Sequence, residues 1–111
     1  MDRDSFEAMM QEVQAFHEKH SFDSNGGEDM VYRVALMAEE LGEISACVSK
    51  GKPVHELAEE CADLLILLMG NAVSADFDLN RAFWKKMKKI SKRPSRMVDG
   101  RIRVSTFGET E

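Results

Sequence analysis

Residues 34–69 read VALMAEELGEISACVSKGKPVHELAEECADLLILLM, and this stretch decides the fold. Apolar residues recur at three-to-four spacing on both sides of Lys50-Gly51-Lys52-Pro53, where the glycine suits a helix C-terminal cap and the proline the first turn of the next helix. The pattern predicts one helix opening at Glu28/Asp29 and ending near Ser49, and another from Val54 to Ser74 or Ala75. Each carries acids: Glu39-Glu40-Leu41-Gly42-Glu43 on the first, Glu59-Glu60-Cys61-Ala62-Asp63 on the second.

Outward from this pair, Phe6, Met9, Met10, Val13 and Phe16 form the apolar stripe of a helix over residues 4–20. The turn residues of Ser21–Gly27 make a loop. After the Asp76-Phe77-Asp78 connector a fourth helix runs from Leu79 to Lys92 and stops before Pro94. From Met97 to Val104 residues alternate around Asp99-Gly100, a strong short hairpin signal. The expected fold is an all-α four-helix bundle, with the main domain over 1–96 and a hairpin-like tail over 97–111.

With 111 residues, 43% hydrophobic and 32% charged, the chain has the composition of one globular domain. A core of this size is modest, so a homodimer or homotetramer is expected. The longest apolar run, Leu64–Met69, is far short of the ~20 residues of a membrane span, and Met1-Asp2-Arg3-Asp4 lacks a signal-peptide layout. A cytoplasmic protein without a membrane partner is the expectation. Cys47 and Cys61 have no second cysteine at metal or redox spacing and read as buried thiols. The net charge of −5 conceals an asymmetry: residues 1–75 hold 15 acids and 5 Lys/Arg, whereas 76–104 hold 3 acids and 10 Lys/Arg. The acidic helices would repel a phosphodiester backbone, which argues against a nucleic-acid partner.

With Glu40 at zero on its helical wheel, Glu43 falls near 300° and Glu39 near 260°, while Val34, Met37, Leu41, Ile44 and Val48 span about 40° to 120° and read as the core stripe. Leu36 and Cys47, at about 320° and 340°, bracket the acids with apolar surface. On the next helix Asp63 lies about 300° from Glu60, among Leu57, Leu64 and Leu67; Leu64–Met69 is apolar on every side and reads as buried all round. Ionised carboxylates in such a setting are costly unless paired, and basic residues are nearly absent from both helices. All-oxygen ligands suit Mg²⁺, with Mn²⁺ possible, and Mg²⁺ commonly takes phosphates as further ligands. A di-iron bundle would use Glu-x-x-His motifs, and the chain has none.

Glu39-Glu40-x-x-Glu43 followed by Glu60-x-x-Asp63 resembles the signature of the MazG-like all-α nucleoside triphosphate pyrophosphohydrolases. Leu41-Gly42-Glu43, Leu57-Ala58-Glu59-Glu60, Ala62-Asp63-Leu64-Leu65, Asp76-Phe77-Asp78-Leu79 and the basic Lys85–Arg93 segment are similar to that family too, so the resemblance covers residues 5–96. It implies metal-dependent hydrolysis of a (deoxy)nucleoside triphosphate to the monophosphate and pyrophosphate, in house-cleaning of nucleotide pools. Glu40, Glu43, Glu60 and Asp63 fall on the metal-ligand positions. Glu39 falls on the acid that binds a second metal or orients the attacking water, and Glu39 and Glu40 are the catalytic candidates.

Within the basic segment Lys86 matches the family's lysine, but the asparagine position one turn on holds Ile90, or Ser91 with a one-residue shift; Lys86 and Arg93 are the expected phosphate contacts. Asn71 shares the inner face of Glu60 and reads as a base or sugar contact or as a core amide. Phe16 and Trp84 read as base-stacking rings or as core. His17 and His20 read as surface residues, and the eight methionines as core filling. A relative acting on phosphoribosyl-ATP and a non-catalytic helical interaction module are the rival functions.

Overall fold

The computed structural model describes residues 5–106; residues 1–4 and 107–111, which include the expected start of the first helix at residue 4 and the end of the tail, lie outside the described residues. Its elements are α1 (Phe6–Lys19), α2 (Met30–Ser49), α3 (Val54–Ser74), α4 (Leu79–Ile90), β1 (Ser95–Val98) and β2 (Arg101–Val104). They form two compact units, one up to Phe77 and one from Asp78 on. None of the described helices is long and apolar enough to cross a membrane.

Helix starts follow local capping chemistry. Ser5 Oγ accepts from Ala8 N at 3.0 Å, Asp29 Oδ1 from Val31 N at 3.0 Å and Asp78 Oδ1 from Arg81 N at 2.9 Å, each satisfying an orphan donor of a first turn. Pro53 is the N-cap of α3, one position ahead of the expected first turn. The stops of α1, α2 and α3 share one device. Gly51 has φ 63° after α2, and Lys52 N donates to Cys47 O at 2.9 Å, the Schellman closure. Ser21 and Asp76 hold the same left-handed position after α1 and α3, with Phe22 N on His17 O at 3.0 Å and Phe77 N on Ala72 O at 3.1 Å. Helix α4 ends two residues before the expected Lys92, and β1 begins two residues before the expected Met97. The hairpin pairs Ser95 with Val104, Arg96 with Arg103, Met97 with Ile102 and Val98 with Arg101. Asp99 and Gly100 both have positive φ, as a two-residue type I′ turn requires.

In the first unit α3 packs against both α1 and α2. The buried apolar residues are Val13, Cys47, Met69 and Ala72, and with them lie three polar ones, His17, Arg33 and Asn71. Arg33, 1% exposed, is the fixed point. Its Nε donates to Asn71 Oδ1 at 2.8 Å, Nη1 to Gly27 O at 3.1 Å and Nη2 to Leu67 O at 2.8 Å, so one side chain of α2 ties down α3 and the preceding loop. Asn71 Nδ2 in turn donates to Met37 Sδ at 3.2 Å. Room for the guanidinium comes from Gly70, where a Cβ would collide with Arg33 and with His17 Nε2. The loop closes over His17 through Phe22, whose ring centroid is 4.3 Å from the imidazole.

This packing corrects five expectations. The face of α2 turned to α3 centres on Arg33, Glu40 and Cys47, and the stripe read as core is largely outside: Val34 is 57%, Leu41 59% and Val48 66% exposed. Hydropathy alone selects the most apolar side of a helix, whereas the buried hydrogen bonds of Arg33 select the side that α3 can satisfy. Leu65, Ile66 and Leu68 of α3 are exposed as well, because α1 and α2 cover only part of its circumference. Cys61 is exposed, unlike Cys47, and His17 is buried, unlike the exposed His20. Burial holds the imidazole of His17 below its ordinary pKa, and the charge of Arg33 adds to this. Met69 is core, while Met9, Met87 and Met97 are exposed.

Truncating Arg33 leaves Asn71 Oδ1 and two carbonyls without their donor and opens a void. Arg33→Ala is expected to destabilise the fold by about 3 kcal/mol, measured by urea unfolding. Arg33→Lys, a single ammonium in place of a three-way fork, recovers only part of that loss.

Candidate metal centre

The register that Arg33 sets on α3 also places the acids. Arg33 meets Leu67 and Asn71, so α2 and α3 run antiparallel; two turns along α2, Glu40 therefore comes opposite residues two turns back along α3. Those residues are Glu60 and Asp63. One carboxylate oxygen from each of Glu40, Glu60 and Asp63 lies within 4.8 Å of the other two. Glu40 and Glu60 are half-buried and Asp63 is exposed, so the cluster sits at the edge of the helix pair.

The electrostatics are those of an uncompensated site. Glu40 Oε2 is shut off from solvent and has no hydrogen-bond partner among the described residues. The Glu40 carboxyl is pushed up from its ordinary pKa, first by desolvation, then by the charge of Asp63, by a hydrogen bond with Glu60 that needs a proton on one of the pair, and by the charges of Glu60 and Glu43. Every charge in that set is negative. A closed-off carboxylate oxygen clustered with two other acids fits a hard divalent cation, whose oxygen ligands sit at about 2.1 Å for Mg²⁺.

Of the expected metal ligands, the structure gathers Glu40, Glu60 and Asp63. Glu43 is exposed and outside the three, although its charge reaches Glu40. Glu39 is exposed and outside the cluster. Asn71 lies on the same face of α3 but is committed within the protein, its oxygen to Arg33 and its amide to Met37. Phe16 stands on another side of α3, where it lines a cavity of about 800 Å³ with Ala62, Leu65, Ile66 and Met69, and its ring meets His20 and Phe22 edge-on. Trp84 and Lys86 are exposed on α4, and Arg93 is half-buried just beyond it with Nε closed off and unpartnered. Sequence reasoning missed Arg33, the one basic residue inside α2. The signal was present: a lone arginine about 20° from Glu40 on the same helical face.

Residues 3–89 match the family model described as Phosphoribosyl-ATP pyrophosphohydrolase, a span that contains all five acids of the motif. No curated protein and no solved structure matches the chain significantly.

A carboxyl with a raised pKa favours folding while protonated and loses that contribution as pH rises through its folded-state value. Without metal, Glu40→Gln is therefore expected to melt at a higher temperature than the wild type, by an interval that widens as pH is raised from about 4.5 towards neutrality. Added Mg²⁺ should raise the melting temperature of the wild type and leave that of the variant nearly unmoved. Thermal melts across pH, with and without Mg²⁺, check both.

Proposed function

The chain belongs to the phosphoribosyl-ATP pyrophosphohydrolase family, within the MazG-like all-α nucleoside triphosphate pyrophosphohydrolase superfamily, and so is a pyrophosphohydrolase acting on a nucleotide-like substrate; from that premise we propose that it hydrolyses a (deoxy)nucleoside triphosphate to the monophosphate and pyrophosphate with Mg²⁺, or Mn²⁺, as cofactor. The observation that carries the reading is the meeting of Glu40, Glu60 and Asp63 around a closed-off, unpartnered carboxylate oxygen.

Glu40, Glu60 and Asp63 would hold the cation, with Glu43 beside them as a fourth acid. Bound there, the ion supplies charge neutralisation for the triphosphate and acidifies water. Glu39, exposed on the flank of the same helix, orients the attacking water and takes its proton. Water adds to the α-phosphorus, the α–β anhydride bond breaks, and pyrophosphate leaves with the bridging oxygen. No nucleophilic side chain takes part. Lys86 and Arg93 are assigned to the phosphates and Trp84 to the base; Phe16 belongs to the cavity on another side of α3, and Asn71 serves the Arg33 network instead. The enzymatic region is 1–96, with 97–111 as an appended tail, and the setting is the cytoplasm, where nucleotide pools are kept.

The exposed apolar stripe of Val34, Leu41 and Val48 supports a homodimer or a dimer of dimers, since so small a buried core leaves that surface to be covered by association.

A second reading, phosphoribosyl-ATP as substrate, is favoured by the description of the matching family. Both substrates present a 5′-triphosphate to the same acids, so they are separated by assay. Pyrophosphate release is to be measured with the common NTPs and dNTPs, dUTP and phosphoribosyl-ATP, each with Mg²⁺ or Mn²⁺, beside Glu40→Gln and Asp63→Asn. Metal-dependent release that both variants lower by at least about 100-fold is expected, as for loss of a metal ligand. No release from any substrate by folded, metal-loaded protein would favour the non-catalytic module.

A further inference from the structure

We infer that His17 is an acid-sensitive latch of the first unit: on taking up a proton the imidazole leaves its place beside Arg33 and releases the loop between α1 and α2. The ring is buried, 4% exposed, near the C-terminal end of α1. A Cβ placed on Gly70 would meet Arg33 Nη2 and His17 Nε2 at once, so the guanidinium and the imidazole face the same small space on α3. The other ring nitrogen, Nδ1, is shut off from solvent and has no hydrogen-bond partner among the described residues. A neutral imidazole fits this position, since it brings no charge. An imidazolium would set a second cation against Arg33 and would hold a donor at Nδ1 with nothing to accept from it.

The groups around the ring set its response. Arg33 faces it from α2, whereas Gly70 and Val73 of α3 bring no charge. With Gln14, Val73, Glu18 of α1 and Asp23 and Glu28 of the loop, His17 lines a cavity of about 300 Å³, which gives a proton its way in. Phe22 covers the ring, Phe16 meets it edge-on, and the exposed His20 meets those two phenyl rings. Burial first and Arg33 second hold the imidazole below its ordinary pKa of 6.5, and the charge of Glu28 works the other way. A base depressed in this manner contributes stability above its ordinary pKa and loses it as pH falls towards the folded-state value. Glu40 has the opposite sign, so loosening on acidification does not come from there. What the latch holds is a chain of contacts: Phe22 N donates to His17 O at 3.0 Å, Gly27 N to Phe22 O at 2.9 Å, and Gly27 O accepts from Arg33 Nη1. A charged His17 disturbs this chain and, through Arg33, the register that carries Glu40 to Glu60 and Asp63. The consequence for catalysis rests on reading those acids as the metal centre; the latch itself does not.

The test uses the full chain with a chelator and no substrate, and follows the His17 imidazole by NMR together with amide exchange at Phe22, Gly27 and Arg33 between about pH 7 and pH 5. Protection of these amides is expected to fall about tenfold over the interval in which His17 takes up its proton, the scale of one buried hydrogen bond lost. His17→Gln, which has nothing to titrate, is expected to keep its protection level across that interval. Glu28→Gln is expected to lose protection at a higher pH than the wild type, because the carboxylate that offsets the two cations is gone. A protonated His17 with the three amides still protected overturns the inference. So does a His17 that stays neutral while the loop stays closed to about pH 5, or an equal loss of protection in His17→Gln and wild type. The first two are read on the wild type alone and hold whether or not the glutamine variant folds. Any of these failures leaves the pyrophosphohydrolase reading to its own assay, since neither metal nor turnover enters this one.

Discussion

A buried guanidinium with no carboxylate partner among the described residues is the constraint on which the first unit depends. Among the described residues Arg33 is held by neutral acceptors: an amide oxygen of α3, a helical carbonyl of α3 and a loop carbonyl. Burial lowers its pKa, and the charge of Glu28 works against that shift. A buried charge tolerates few geometries, because each donor left unmatched is costly. The three acceptors therefore fix the rotation of α2, its register on α3 and the path of the loop after α1 together. Gly70 is part of the same solution, since any side chain there would occupy the space of the guanidinium.

The acid cluster is a consequence of that register. Glu40 lies two turns from Arg33 on nearly the same helical face, so when Arg33 is seated Glu40 is carried to Glu60 and Asp63. A cation at one end of the contact and uncompensated anions at the other give the helix pair an axial polarity. The favourable end holds the fold, and the unfavourable end is left ready for a divalent ion. Stability and site are thus linked by one rotation: slipping α2 by a residue would unseat Arg33 and disperse the acids at once.

Much of this was legible in the sequence, and the parts that were not share a cause. Helix limits are set by local chemistry, so Asp29, Gly51 and the connector ending at Asp78 announced them within two residues, as Asp99-Gly100 announced the hairpin. The pairing of Glu40 with Glu60 and Asp63 followed from their wheel positions. Which side of α2 faces inward did not follow, because Val34, Leu41 and Val48 form the more apolar side and yet lie outside. Local pattern reports what a face would gain by burial; it does not report what stands opposite to receive it. The same limit hid Arg33, whose burial depends on acceptors as far as 38 residues away, and left Glu43 undistinguished from the acids that converge.

The exposed apolar side of α2 and the open flank of α3 follow from the same choice of inward face. A helix that turns its polar side to its neighbour leaves its apolar side exposed, as Val34, Leu41 and Val48 are. The most direct test of the link between fold and site is a crystal of the protein grown with Mn²⁺ and measured at the metal's absorption edge. One anomalous peak bonded to Glu40, Glu60 and Asp63, with Arg33 seated on Asn71 and Leu67, is the predicted result. A peak held by other residues, or those three carboxylates bare in crystals that bind Mn²⁺ elsewhere, would contradict it.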